Sequence, residues 1–343
     1  MPKINFLGCH QESLENFFVA IGEKKFRASQ LISWIHQRGV DDFESITSFS
    51  KDLKKHLAIC GEIKAPTIVK DLVSSDGTRK WMLKLVDGFL IETVFIPEGK
   101  RGTLCVSSQV GCALNCSFCA TGSLGFKRNL ETFEIIGQLW LAKKILLTDQ
   151  AEITNLVFMG MGEPLLNLDP VLETISLALS DYAYGLSKYR VTLSTAGIIP
   201  QLKRLKSANC EVALAISLHA PTDELRNQLM PINLTYPVVD LIKVINNYFG
   251  DSKRPVTIEY LLLAGINDQL SHAKQLAKLL AGGNYKVNLI PVNTTRMNIF
   301  CAPQQSVVDD FRQVLLDAKI MTITRKTRGD DIKAACGQLV GEE

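Results

Sequence analysis

The chain has 343 residues, 46% of them hydrophobic, which suits one large domain with a smaller one and excludes gross disorder. Its formal net charge of +3 is too mild to argue for nucleic acid by itself, so any basic footprint must be local. The nine cysteines are an odd number for a secreted disulfide scaffold, Asn5 to Ala20 lacks the apolar run of a signal peptide, and no stretch is long enough for a membrane span.

The expectation is therefore a cytoplasmic protein, in a reducing compartment where clustered cysteines serve metal binding or redox chemistry. Residues 1–65 read as a small helical domain. Leu31, Trp34 and Ile35 share one helical face, as do Leu53 and Leu57. Lys24, Lys25 and Arg27 and then Lys51, Lys54 and Lys55 either face water or dock RNA, with Asp41, Asp42 and Glu44 weakening the second reading. Residues 66–98 form a β-hairpin region, since Asp76-Gly77 and Asp87-Gly88 separate β-rich runs at Lys80–Val86 and Phe89–Ile96. Pro97–Gly102 is expected as a loop and Thr103–Val110 as a strand.

Residues 99–343 then alternate. Helical Thr132–Leu146 leads to strand Asn155–Met159, and Val171–Ser180 to Arg190–Ser194. Ile198–Ala208 leads to Glu211–Leu218, Val238–Phe249 to Val256–Leu263, Leu270–Ala281 to Lys286–Pro291, and Ser306–Lys319 to Met321–Thr327. Such repeats imply parallel strands joined by crossover helices. About six units fit an incomplete (β/α) barrel, with a doubly wound open sheet as the alternative; in both, ligands collect at the carboxyl ends of the strands.

Cys112, Cys116 and Cys119 form a C-x3-C-x2-C loop directly after the strand expected at Thr103–Val110, where a cofactor belongs. Three thiolates can hold three irons of a [4Fe–4S] cluster and leave the fourth open for the amino and carboxylate groups of S-adenosylmethionine (SAM). A zinc site completed from elsewhere is the competing reading, although no second cysteine hook is present. Gly160-Met161-Gly162-Glu163-Pro164 follows the next strand, offering close backbone approach and a carboxylate. Ser194, Ser217, His219 and Asn293 end later strands on the same side; each alone would read as a cap or a structural residue, and their shared placement makes them pocket candidates. Cys105 and Cys336 lack cluster spacing. A buried strand thiol accounts for Cys105, whereas Cys336 sits in a polar, flexible-looking tail near Arg325, Lys326 and Arg328, which would favour thiolate.

Glu92-Thr93-Val94-Phe95-Ile96-Pro97, Leu104-Cys105 through Gly111-Cys112, Gly160 to Pro164, Ser217-Leu218-His219-Ala220, and Arg328 to Asp331 with Ala335 to Leu339 together resemble the bacterial dual-specificity ribosomal-RNA and transfer-RNA adenine-C2 methyltransferases. The resemblance covers nearly the whole chain. It implies an incomplete (β/α)6 radical-SAM barrel with a small N-terminal helical domain and a β-hairpin extension. It also implies two SAM per turnover, S-methylation of Cys336, and resolution of an RNA adduct by Cys105 through a transient disulfide. Glu92 is implied as general base, and Gly162, Glu163, Ser194, Ser217, Leu218, His219 and Asn293 as the SAM pocket. The implied partners are large-subunit ribosomal RNA, transfer RNA and an electron donor such as flavodoxin, with no membrane and a monomeric chain. Two alternatives stand: the related adenine-C8 methyltransferase, which shares both cysteines, and a non-catalytic zinc-stabilised RNA-binding protein.

Overall fold

The computed structural model describes residues 3–246, 248–250, 252, 254–293 and 300–341. Its centre is a ten-stranded sheet in which neighbours follow chain order almost without exception. Thr67–Val73, Arg79–Lys84 and Leu90–Glu98 are antiparallel and lead into Arg101–Cys105. From there Asn155–Phe158, Val191–Thr195, Ala213–Ser217, Val256–Leu262, Tyr285–Pro291 and Met321–Thr324 are added in turn, all parallel. Right-handed crossovers that always advance the same way place every helix on one face. A doubly wound sheet needs a reversal in strand order, and none is present among the described residues. The barrel reading therefore stands, left open because no pairing joins Met321–Thr324 to Thr67–Val73 among those residues.

The crossover helices sit close to where their apolar periodicity predicts them: Thr132–Leu146, Leu168–Leu179, Ile199–Ser207, Val238–Ile245, Leu270–Leu279 and Gln305–Asp317. One sheet face is covered by these helices. The other carries polar residues in register: Ser217 pairs with Glu259, and Glu259 with Asn288, across three adjacent strands. Glu259 is buried and accepts a 2.8 Å hydrogen bond from the Asn288 amide.

Two expectations are corrected. Pro97–Gly102 is not a loop: Leu90–Glu98 pairs directly with Arg101–Cys105, and the turn is only Gly99 and Lys100, with Gly99 at φ +58°. Nor is Thr103–Val110 one strand. The chain leaves the sheet after Cys105, and Gln109–Val110 pairs instead with Arg128–Asn129 in a separate two-stranded ribbon. The cause is Gln138 on the first crossover helix. Its Oε1 accepts from the Ser107 N–H (2.8 Å) and its Nε2 donates to the Ser107 carbonyl (2.9 Å), substituting for the pairing a strand would have made.

The N-terminal stretch contains helices Gln11–Ala20 and Arg27–Ile32, the latter continued by a π turn over Ser33–Gln37, and Lys51–Cys60. A short parallel pairing of Ile4–Asn5 with Gly61–Glu62 ties its ends together. It packs on Thr132–Leu146: Trp140 Nε1 donates to the Ile35 carbonyl (2.8 Å) and Lys143 Nζ to that of His36 (3.1 Å). The hairpin turns fall at Asp76-Gly77 and Asp87-Gly88 as the sequence indicates, with both glycines at positive φ.

Gln138→Leu would strand two buried backbone groups of Ser107 with no water to replace the amide. A loss of about 2–4 kcal/mol is expected, seen as a lower urea midpoint; an unchanged midpoint would contradict this account of the bend.

Candidate active site

The cysteine loop is shaped by backbone conformations that few residues tolerate. Gly111 has φ +72°, and a Cβ there would lie 1.8 Å from the Gly125 carbonyl oxygen. Asn115 is also left-handed, at φ +48°. Between them the chain doubles back, so that Cys119 N–H donates to the Cys116 carbonyl at 3.1 Å and Ser117 N–H to the Leu229 carbonyl at 3.0 Å. Cys112, Cys116 and Cys119 then line an open cavity of about 170 Å³. Burial pushes all three thiols up, Cys112 to about 12, and the neighbouring cysteines add to the effect for each. Among the described residues, no three His, Cys, Asp or Glu side chains are grouped to hold a single metal ion.

Across that cavity lie Gly160, Gly162, Glu163, Ser194, Ser217 and His219. Gly162 has φ +98°, and a Cβ would meet Gln109 at 2.5 Å, so the turn can only be glycine. Glu163 is buried; its Oε1 accepts from Leu165 N–H (3.0 Å) and its Oε2 from Ala196 N–H (2.8 Å). Burial raises its pKa and those amides oppose the rise. His219 has φ +60° and stacks edge-on against Phe118 at 4.9 Å, and its Nδ1 accepts from Leu261 N–H at 3.0 Å. That bond places the ring proton on Nε2. Burial, with the Arg226 charge, lowers its pKa to about 3, so the ring is neutral.

Arg226 is a residue the sequence reading missed. It is fully buried, and every hydrogen-bond partner is a neutral oxygen: the carbonyls of Leu218 (3.0 Å), Ala196 (2.6 Å), Ser217 (3.2 Å) and Tyr236 (3.5 Å), and Asn233 Oδ1 (3.0 Å). It thereby fixes the ends of two strands that face the cavity. Inside Asp223–Leu229 a lone arginine reads as a solvated helix face, and only tertiary structure turns it inward. Leu218 is not on the cavity wall. Its side chain is buried, and its backbone is spent on Arg226 and Glu259.

The C-terminal tail is ordered rather than flexible, correcting the sequence expectation. After Arg325 it crosses the open side of the sheet to the antiparallel strands. Gly329 N–H donates to Asp76 Oδ2 (3.1 Å), and Asp331 accepts from Ser74 Oγ (2.6 Å) and Ser75 N–H (3.0 Å). It then returns to the cysteine loop, where the Gly337 carbonyl accepts from Ala120 N–H (2.8 Å) and that of Leu339 from Thr121 Oγ1 (2.6 Å). Cys336 consequently lines this cavity and also a small one of about 30 Å³ that it shares with Cys105 and Asn293. Asn293 thus sits in the smaller cavity, with its Oδ1 accepting from Thr327 Oγ1 at 2.9 Å.

Arg325 lines both cavities together with Cys336, and the Cys336 charge is the chief cause that raises the Arg325 pKa. Cys105 is buried, which pushes its thiol up to about 12; the Cys336 charge adds to this and Arg325 opposes it. Glu92 lies on neither cavity wall. It is 1% exposed, and its Oε1 is 2.8 Å from Lys80 Nζ.

The donor chemistry fits an iron–sulfur cluster on the three thiols, and the open cavity beyond them has the mainly apolar lining with a few convergent polar groups that a small-molecule site uses. Gly111→Ala is expected to displace the cysteine loop and lower iron content after anaerobic reconstitution to roughly half or less of wild type, because the added methyl collides with backbone. Unchanged iron content would show that the loop does not need this conformation.

Comparison with known proteins agrees with this geometry. Residues 4–63 match the family model described as the ribosomal RNA large subunit methyltransferase N-terminal domain, and residues 106–278 match the radical SAM superfamily. The dual-specificity RNA methyltransferase RlmN of Marinobacter nauticus is 51% identical over 99% of this chain and 93% of its own length. The crystal structure of a radical SAM methyltransferase from Sphaerobacter thermophilus superposes with a TM-score of 0.93 at 38% identity, covering 99% of this chain and all of that one.

Proposed function

The chain belongs to the radical SAM superfamily and, within it, to the dual-specificity RNA methyltransferases, and from that premise we propose that it methylates C2 of adenine in large-subunit ribosomal RNA and in transfer RNA. Adenine C2 is an aromatic carbon without a usable electron pair, so polar methyl transfer stalls there and radical addition does not. Cys112, Cys116 and Cys119 would hold a [4Fe–4S] cluster, which when bound would supply the electron for reductive cleavage of SAM. Gly162, Glu163, Ser194, Ser217 and His219 form the wall opposite the thiols and would hold the SAM.

The observation that carries the proposal is the position of Cys336, which faces both the three-cysteine cavity and Cys105. On the large-cavity side its sulfur accepts a methyl group from one SAM, with Arg325 at hand to stabilise the thiolate that attacks. A second SAM provides the radical that removes a hydrogen from this S-methyl group, and the resulting carbon bonds to C2. Loss of the C2 proton and of one electron follows; Glu92 is the proton acceptor in this scheme, and the oxidised cluster would take back the electron when bound. Cys105 then attacks the Cys336 sulfur. The sulfur–carbon bond breaks, a Cys105–Cys336 disulfide forms, and the electron pair left on carbon takes a proton to complete the methyl group. An external reductant, of the flavodoxin kind, restores the thiols and feeds the cluster.

The target adenine must leave its stack, at a cost of about a few kcal/mol that is least in loops. The exposed Lys24, Lys25, Lys51 and Lys55 of the N-terminal module would contribute to holding such RNA in a cytoplasmic, monomeric enzyme. No helix among the described residues is long and apolar enough to cross a membrane.

Cys336→Ala is expected to abolish methyl transfer with iron content unchanged. Cys105→Ala is expected to accumulate a covalent RNA–protein adduct, visible as a shifted band removed by ribonuclease. Wild-type turnover in Cys105→Ala would refute its resolving role, and methyl groups mapped to C8 rather than C2 would refute the choice of carbon.

A further inference from the structure

Between strands Arg79–Lys84, Leu90–Glu98 and Arg101–Cys105, one cross-strand row runs Lys80, Val94, Cys105: Lys80 is opposite Val94, and Val94 opposite Cys105. Side chains in such a row share a face. Glu92, two residues from Val94, is on that face too and lies diagonal to Lys80. Sheet register thus fixes Lys80 and Glu92 relative to the Cys105 sulfur.

The loop that carries Cys336 lies over this row and is tied to it on both sides. Lys80 Nζ donates to the Lys333 carbonyl at 3.0 Å and pairs with Glu92 Oε1 at 2.8 Å, while Glu92 Oε2 accepts from Val340 N–H at 2.8 Å. Lys80 is 7% exposed, so water does not compete for these bonds. One buried ion pair therefore grips the chain three residues before Cys336 and four residues after it.

We propose that Lys80 is a positioning residue: with Glu92 it forms a latch that holds the Cys336 loop over the strand row of Cys105 and so sets how readily the two sulfurs meet. This deepens the proposed reaction and rests on it for its chemical purpose. Both carboxylate oxygens of Glu92 are engaged in this latch, so the latch must open before Glu92 can accept a proton in the proposed reaction. Lys80 itself touches neither cavity, so its effect on the sulfurs runs only through the loop.

The test uses iron-loaded protein without RNA and two readouts. Equilibration with reduced and oxidised glutathione under argon, read by peptide mass spectrometry, gives the effective concentration of the Cys105–Cys336 pair; each disulfide formed reduces one oxidised glutathione to two thiols. Amide hydrogen exchange over residues 333–341 reads the latch itself. Lys80→Met is expected to lower the effective concentration about tenfold and to speed exchange about tenfold, the size of effect of one charge-assisted hydrogen bond. Lys80→Arg, which keeps the charge, is expected to stay nearer wild type.

If Lys80→Met changes both readouts by less than about twofold, within ordinary context scatter, the latch is overturned. Should Lys80→Met fail to fold, Glu92→Gln decides. It keeps an acceptor for Val340 N–H but loses the ion pair, so faster exchange is expected and unchanged exchange refutes the proposal. If the wild type forms no Cys105–Cys336 disulfide at all, the proposed reaction fails, and hydrogen exchange still judges the latch.

Discussion

A hydrogen bond of 2.8 Å from Ala120 N–H to the Gly337 carbonyl joins the residue after the last cysteine of the three-cysteine loop to the residue after Cys336. The proposed chemistry depends on that juxtaposition. A sulfur that must first take a methyl group beside one cofactor and later meet a second sulfur has to stand at the border of two spaces. The open sheet supplies the border. Because Met321–Thr324 and Thr67–Val73 do not pair, the tail can cross the gap, bind the hairpin turn through Asp331 and Gly329, and return to the cysteine loop. A closed eight-stranded barrel would pack that space with side chains.

Several charges are buried to make this possible, each satisfied differently. Arg226 is surrounded by carbonyl oxygens and acts as a fixed cross-brace between strand ends. Glu163 is held by two backbone amides. Lys80 and Glu92 satisfy each other and the tail. Arg325 lines the same two cavities as Cys336, and its pKa is raised chiefly by the Cys336 charge. Removing one partner of such a group leaves an uncompensated charge, typically about 3–5 kcal/mol. The site is therefore stiff by construction.

What could be read from the sequence follows from what is local. The strand–helix alternation encodes the crossovers, and Asp76-Gly77 and Asp87-Gly88 encode their turns. The cysteine loop and the Gly160–Pro164 turn announce themselves by spacing and by falling at strand ends. Non-local features were hidden. The chain leaves the sheet at Ser107 because of a glutamine 31 residues away. The tail reads as flexible because its polar residues find partners far away in sequence, at residues 74–92, at 120–121 and at Asn293. Nothing local marks Glu259 or Arg226, because their inward orientation depends on register and on carbonyls from other elements. Asn293 was placed with the SAM pocket by strand-end position, whereas the fold puts it in the cavity beside Cys105.

The central claim is that three thiols on one loop hold a cluster with an iron left open to SAM. Iron and sulfide analysis with electron paramagnetic resonance of the reduced, anaerobically reconstituted protein, recorded with and without SAM, tests it most directly. About four irons and four sulfides per chain are expected, together with a cluster signal that changes when SAM is added and with cleavage of SAM to 5′-deoxyadenosine. A colourless protein carrying stoichiometric zinc, or a cluster whose signal ignores SAM, would contradict the account.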